Sequence, residues 1–174
     1  MTKTSIWTEP KHLEKDRDGN YYDKLASDRV VSWFWKALKF KLLPWQDELV
    51  RQVFGWKRAD GTRKHRIVYV LIARKNGKST FGAALLLYLL LADREANGQV
   101  IGAADNRKQA ALIFDIAASM VRANPRLKEV VNIVDSTKTM VYAKTNSKYI
   151  AISADSDSAQ GLNASVVVFD ELHT

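Results

Sequence analysis

The sequence predicts an α/β fold, a mostly parallel sheet flanked by helices, and three observations carry that expectation. Residues 66–72 (Arg-Ile-Val-Tyr-Val-Leu-Ile) form a β-branched apolar run that reads as a buried strand. A polar, glycine-containing loop follows, and then Phe81, Ala84, Leu85, Leu87, Tyr88 and Leu91 fall at helical spacing. Far downstream, Val166 to Phe169 is a second apolar run, ending in the adjacent carboxylates Asp170 and Glu171. Open α/β sheets place ligands at the carboxyl ends of such strands.

At 174 residues the chain is long enough for a sizeable core, and 47% hydrophobic with 26% charged residues is ordinary for a globular protein. With no cysteine there is no disulfide framework and no thiolate metal site, and three scattered histidines (His12, His65, His173) do not suggest a zinc centre. The N-terminus is polar and charged, unlike a signal peptide, and the longest apolar stretch, Phe81 to Ala92, is too short to span a bilayer. The expectation is a protein that is neither secreted nor in the membrane. A net charge of +8 points to a polyanionic partner.

Residues 1–41 read as an N-terminal arm and helix, and residues 42–174 as the main α/β domain. Pro10 and Asp18-Gly19-Asn20 break the arm. Between Tyr21 and Phe40, the apolar residues Val30, Val31, Phe34, Trp35 and Leu38 share one helical face. Trp33, Phe34 and Trp35 therefore read as helix packing in preference to a base-stacking platform. Pro44 opens the next helix at its first position, with Leu49, Val50 and Val53 on the apolar side. Asp60-Gly61 marks a hairpin turn, and Lys57, Arg58, Arg63, Lys64 and Arg66 make that hairpin strongly basic. It is either a solvated surface or a contact for a phosphate backbone.

The helix after the loop runs from Ser79 to about Glu95, with Asn97-Gly98 as its left-handed cap. Gln99 to Ala104 is a buried strand, and Asp105-Asn106 caps a helix burying Ala110, Ala111, Ile113, Phe114, Ala117 and Met120. Asn124-Pro125 ends that helix. Val130 to Val134, Thr139 to Ala143 and Lys148 to Ile152 are short strands, and a polar loop, Ser153 to Gln160, leads towards the carboxylate strand.

Chemistry concentrates in Arg74-Lys75-Asn76-Gly77-Lys78-Ser79-Thr80. A polyphosphate needs converging backbone N–H donors, and a helix N-terminus supplies them with a favourable dipole. Gly77 lets the backbone approach phosphate oxygens, Lys78 supplies a movable charge, and Ser79 offers a hydroxyl to Mg²⁺. The usual phosphate-loop pattern wants a glycine where Ile72 stands, so taken alone the loop also reads as a basic turn before a core helix. Asp170 and Glu171, about ninety residues later, decide between these. An aspartate there holds the water shell of Mg²⁺, and a neighbouring glutamate takes a proton from attacking water. Together the two stretches imply a P-loop nucleotide-triphosphatase core that uses Mg²⁺. Gln46, near the start of its helix, is either a solvated residue or a bidentate reader of the adenine edge.

Ala73 to Thr80 resembles the deviant phosphate loop of tailed-bacteriophage terminase large subunits, in which an arginine sits near the start of the loop. Leu42 to Gln46 looks like their adenine-contacting segment. Ala103 to Ala110, Gln160 to Asn163 and Val168 to Thr174 are similar to the same family. The resemblance implies an ATP-driven motor that threads double-stranded DNA into a preformed capsid. It would work as a homo-oligomeric ring in the bacterial host cytoplasm, with a small subunit and a portal as partners. It implies that Lys78 and Ser79 hold phosphate and Mg²⁺, with Lys75, Asn76, Gly77 and Thr80 completing the cradle. Asp170 would hold Mg²⁺, Glu171 would activate water and Arg74 would stabilise the γ-phosphate.

Gln160 stands where many relatives carry an arginine, so an arginine acting on a neighbouring subunit would lie elsewhere, Arg107 and Arg126 being the candidates. The family's nuclease domain and coupling motif have no counterpart, so the chain reads as an ATPase part ending just after the carboxylate strand. Asp170-Glu171-Leu172-His173 also spells the D-E-x-H box of helicases, which makes a helicase-like ATPase the alternative. A non-catalytic DNA-docking or assembly fragment is a third reading.

Overall fold

The computed structural model describes residues 15–93, 95–153 and 161–170. It divides into two compact units, residues 1–71 and 72–174. The expected boundary at 41/42 falls within the first.

In the first unit, β1 (Tyr21–Tyr22) leads into α1 (Lys24–Leu38), and α2 (Pro44–Gly55) leads into β2 (Trp56–Lys57). Asp23 starts α1 by accepting from the Ala26 N–H at 2.8 Å, and Lys39 ends it in the left-handed region at φ 54°. Pro44 stands at the first position of α2, as expected, where a missing N–H costs nothing. The two helices pack on each other, and Val30, Phe34, Val50 and Phe54 are buried. Trp35 departs from expectation: it shares the predicted face yet remains 56% exposed, with the Lys39 ammonium over its ring. β1 and β2 pair antiparallel, with Tyr22 opposite Trp56.

The predicted buried strand over residues 66–72 is not formed. Residues 67–73 take no helix or strand, and Ile67, Tyr69 and Leu71 are 92%, 72% and 86% exposed. β-branched residues fit a pleated surface only when a neighbouring strand supplies ladder bonds and side-chain contacts. This run pairs with no other strand among the described residues.

The second unit holds α3 (Lys78–Leu91), β3 (Gln99–Ala104), α4 (Arg107–Ala123), α5 (Pro125–Lys128), β4 (Val131–Val134), β5 (Thr139–Tyr142), β6 (Ser147–Ser153) and β7 (Val166–Asp170). The sheet order is β4-β5-β6-β3-β7. β3 runs parallel to both β6 and β7, whereas β4–β5 and β5–β6 are antiparallel. The sheet is therefore mixed, not mostly parallel. Only residues 135–138 link β4 to β5 and residues 143–146 link β5 to β6, far too few for a crossover. Lys138 and Asn146 turn these links at φ 50° and 55°.

α3 is apolar almost all round and buries Phe81, Ala83, Ala84, Leu86, Leu87, Leu89 and Leu90. It packs on α4 and on β3, β6 and β7. It ends at Leu91, earlier than expected, so Asn97 (φ 57°) turns the following loop instead of capping the helix. Asn106 caps α4 as predicted, its side chain accepting from the Gln109 N–H at 3.0 Å. Ala110, Ile113, Phe114 and Ala117 are buried as predicted; Ala111 and Met120 are half-buried. β7 was expected to be buried, but it alternates, with Val167 40% and Phe169 61% exposed. Among the described residues it is paired only along its β3 edge. Ser153, expected in a loop, is the last residue of β6. Residues 1–14 with Pro10 and His12, Arg94, the loop 154–160 with Gln160, Glu171 and His173 lie outside the described residues.

Candidate phosphate and metal site

Parallel pairing fixes one end of the site. Ala104 of β3 stands opposite Ser153 of β6 on one side and Asp170 of β7 on the other. The carboxyl ends of the three parallel strands are thus level, with the N-terminus of α4 beginning just beyond β3. Ligands of α/β sheets bind at such an edge.

The loop before α3 supplies the other half. Gly77, at φ 74°, is the residue before the helix, a backbone state that carries little strain only for glycine. Lys75 also lies in the left-handed region, at φ 65°. Between them, the Asn76 amide donates to the carbonyls of Ala73 (3.1 Å) and Arg74 (3.3 Å), which ties the loop to itself. No side chain caps α3, and its first turn carries no acid. Its leading N–H groups and the positive end of its dipole therefore suit an anion.

Lys78 reaches back, its ammonium donating to the Ile72 carbonyl at 3.2 Å. The residue that replaces the usual glycine thus contributes through its backbone. One residue on, Ser79 Oγ donates to Asp170 Oδ2 at 3.1 Å, across a sequence separation of 91 residues. Adjacent oxygen ligands of an octahedral Mg²⁺, each bound at about 2.1 Å, stand about 3 Å apart. The serine–aspartate spacing fits that requirement. Two protein oxygens also suit an ion that keeps most of its water and takes substrate phosphates. Among the described residues there is no cluster of three or more His, Cys, Asp or Glu side chains able to hold a metal without a substrate.

The structure therefore brings Ser79 to Asp170 and sets the Lys78 ammonium on the Ile72 carbonyl. Arg74, Lys75 and Asn76 are exposed on the loop, and Thr80 lies half-buried in the first turn of α3. Arg107 stands exposed at the start of α4, and Arg126 is exposed in α5. Gln46 belongs to the first unit and is only 1% exposed, its Oε1 accepting the Leu43 N–H at 2.9 Å. That bond uses one of the two lone pairs of Oε1. Glu171 lies outside the described residues. Ser153, 4% exposed, ends β6 level with Asp170 across β3.

A mixed sheet, packed helices and a loop–helix junction beside a strand-end carboxylate define an α/β domain with its candidate site at the sheet's carboxyl edge. Comparison with known proteins specifies it further. Residues 44–174 match the model of the terminase large subunit ATPase domain, and the chain belongs to that family. It is 33% identical over 132 residues to the terminase large subunit of Enterobacteria phage HK97, covering 75% of this chain and 25% of that protein. It is 28% identical over 145 residues to the terminase large subunit of Lactococcus phage SK1, covering 79% and 27%. The crystal structure of the HK97 bacteriophage large terminase superposes with a TM-score of 0.73 at 31% identity, over 83% of this chain and 31% of that one. The chain thus spans about a quarter of the length of these two relatives. The family match does not favour the helicase reading. Among the described residues no helix is long and apolar enough to cross a membrane.

Proposed function

We propose that the chain hydrolyses ATP as a P-loop domain and that hydrolysis drives double-stranded DNA into a capsid. The observation that carries this reading is the Ser79–Asp170 contact at 3.1 Å, beside Lys78 and an uncapped helix N-terminus. The β- and γ-phosphates would lie against the N–H groups of Gly77 to Thr80. Lys78 would exchange the neutral Ile72 carbonyl for a charged phosphate oxygen, and hydrogen bonds to ionised acceptors are the stronger. Ser79 and Asp170 would hold Mg²⁺, which when bound neutralises charge developing on the phosphate oxygens.

Glu171, adjacent to Asp170 in sequence, is the proposed general base for the attacking water. Arg74, exposed on the loop, is proposed to stabilise the γ-phosphate in the transition state. Gln46 is proposed to read adenine, with one lone pair of its Oε1 held by the Leu43 N–H. A homo-oligomeric ring, a terminase small subunit, a capsid portal and the host cytoplasm complete the proposal, on the strength of the family. A Gln at position 160 leaves Arg107 and Arg126 as candidates for an arginine acting between subunits.

The test is ATP binding and hydrolysis by this chain, with and without duplex DNA, beside Lys78→Ala. DNA-stimulated turnover, lost together with nucleotide binding in the variant, is the expected result. Nucleotide affinity unchanged by Lys78→Ala in a folded sample would overturn the site and favour a non-catalytic docking fragment.

A further inference from the structure

We propose that the basic hairpin of residues 56–66 is a docking surface for the phosphate backbone of double-stranded nucleic acid. The identity of the polymer rests on the packaging-motor reading; the surface itself rests on charge and geometry. The segment carries Lys57, Arg58, Arg63, Lys64 and Arg66 against one acid of its own, Asp60, a net +4 of the chain's +8 on eleven residues, and Lys64 pairs with Asp16 outside it.

The frame that carries these charges is tightly built. Lys57 bridges Arg63 in antiparallel register, so their side chains project to the same side. At the tip the Arg58 N–H donates to the Thr62 carbonyl (2.8 Å), and the Gly61 N–H to the Arg58 carbonyl (2.9 Å). Asp60, exposed at the tip, accepts from the N–H (2.9 Å) and hydroxyl (2.7 Å) of Thr62. Its charge is engaged in the turn. Lys64 is held between Asp16 (2.7 Å) and the Trp56 ring (4.7 Å), and the Arg63 guanidinium lies 5.6 Å from the Phe54 ring centre. A guanidinium held against a ring, as Arg63 is, loses little freedom on binding, which lowers the entropic cost of docking. Arg58 and Arg66 remain exposed at either end.

The aromatic residues favour a duplex over a single strand. Single-strand binding needs exposed rings on which bases stack. Here Phe54 is buried, and Trp56 packs edge-on against Tyr22, donates its Nε1–H to Gln52 and carries Lys64 over its ring. What the hairpin offers outward is charge without a stacking platform, which suits sequence-independent backbone contact.

The experiment is a salt titration of the chain's binding to a fluorescent DNA duplex, comparing Arg58→Ala/Arg66→Ala with the charge-matched control Lys36→Ala/Lys128→Ala. All four residues are exposed. Each phosphate contact adds about 0.9 to the slope of log affinity against log salt. The hairpin variant should lower that slope by about 2 and weaken binding at least tenfold at low salt, while the control binds like the parent. Nucleotide affinity of the same variants should be unchanged, so failure here is distinguishable from failure of the ATP site, which Lys78→Ala reports. An unchanged slope, an equal loss in the control, or no duplex binding by the parent would overturn the proposal. Competition by polyglutamate as effective as by duplex would replace nucleic acid with an acidic protein surface.

Discussion

Tyr149 sits at the centre of the second unit, fully buried on β6, its ring stacked on Phe114 at 6.0 Å between centres. Its hydroxyl has no hydrogen-bond partner among the described residues, and burial pushes its proton affinity well up. A buried hydroxyl left unpaired costs about 1–3 kcal/mol. Tyr149→Phe removes that cost and forfeits a few contacts of one oxygen atom. The expected net gain is about 1 kcal/mol, or roughly 2–4 °C in Tm. The neighbouring Gly102 makes room for this ring. A Cβ built there would lie 2.8 Å from both Cε2 and the hydroxyl oxygen of Tyr149. With β3 held between β6 and β7, the ring must yield, and Gly102→Ala should cost about 1–3 kcal/mol. In the double variant the oxygen clash is gone and the Cε2 clash remains. The two changes should therefore be non-additive by about 0.5 kcal/mol or more, towards higher stability. Urea melts followed by far-UV circular dichroism measure this. Loss of stability in Tyr149→Phe, or strict additivity, would show that the hydroxyl has a partner or that the ring moves freely.

Ser79→Ala removes one of two proposed metal ligands, and should raise the Mg²⁺ concentration for half-maximal turnover by about tenfold or more while leaving metal-free nucleotide affinity nearly intact. An unchanged Mg²⁺ requirement would sink that role. Arg74→Ala should lower kcat by about 10³-fold with little change in nucleotide affinity, since charge on the γ-phosphate grows mainly in the transition state; parent-like turnover would exclude it. Lys64, then Asn20, holds the Asp16 carboxyl well below the usual carboxylate range. The folded-state value is depressed, so the associated stability is complete above about pH 4 and declines as pH falls further towards the folded value. An Asp16 carboxyl that titrates near pH 4 by NMR in the folded chain would refute the pairing.

Local signals were read well where the chain decides alone. Pro44 and Asn106 start helices whatever surrounds them, because their effect acts within one turn. The nearness of Ser79 to Asp170, 3.1 Å between their oxygens, is legible from the sequence only as a pairing of residue types, a hydroxyl after Gly-Lys and a carboxylate after an apolar strand. Sheet direction was not legible from the individual strands. It follows from the four-residue links on either side of β5, whose turns rely on Lys138 and Asn146 at positive φ instead of the glycines that usually announce them. Gln46 shows a similar limit: the sequence does not reveal that its side chain is buried, with Oε1 accepting the Leu43 N–H.

Residues 67–71 pose the sharpest contrast between propensity and pairing. By composition Ile67-Val68-Tyr69-Val70-Leu71 is a buried strand; in the structure Ile67 and Leu71 are 92% and 86% exposed. The two descriptions predict opposite responses to charge. If the run is exposed, Ile67→Lys/Leu71→Lys removes no buried contact and should shift the urea midpoint by no more than about 0.5 kcal/mol. It should also lower concentration-dependent light scattering, because an unpaired β-branched apolar run is a template for association between copies and lysine is an effective block. If the run pairs in solution, each lysine enters an apolar layer, and destabilisation by several kcal/mol follows from desolvating the charge. Melting and scattering measured on one pair of samples decide between them: a large fall in stability would return the run to the sheet.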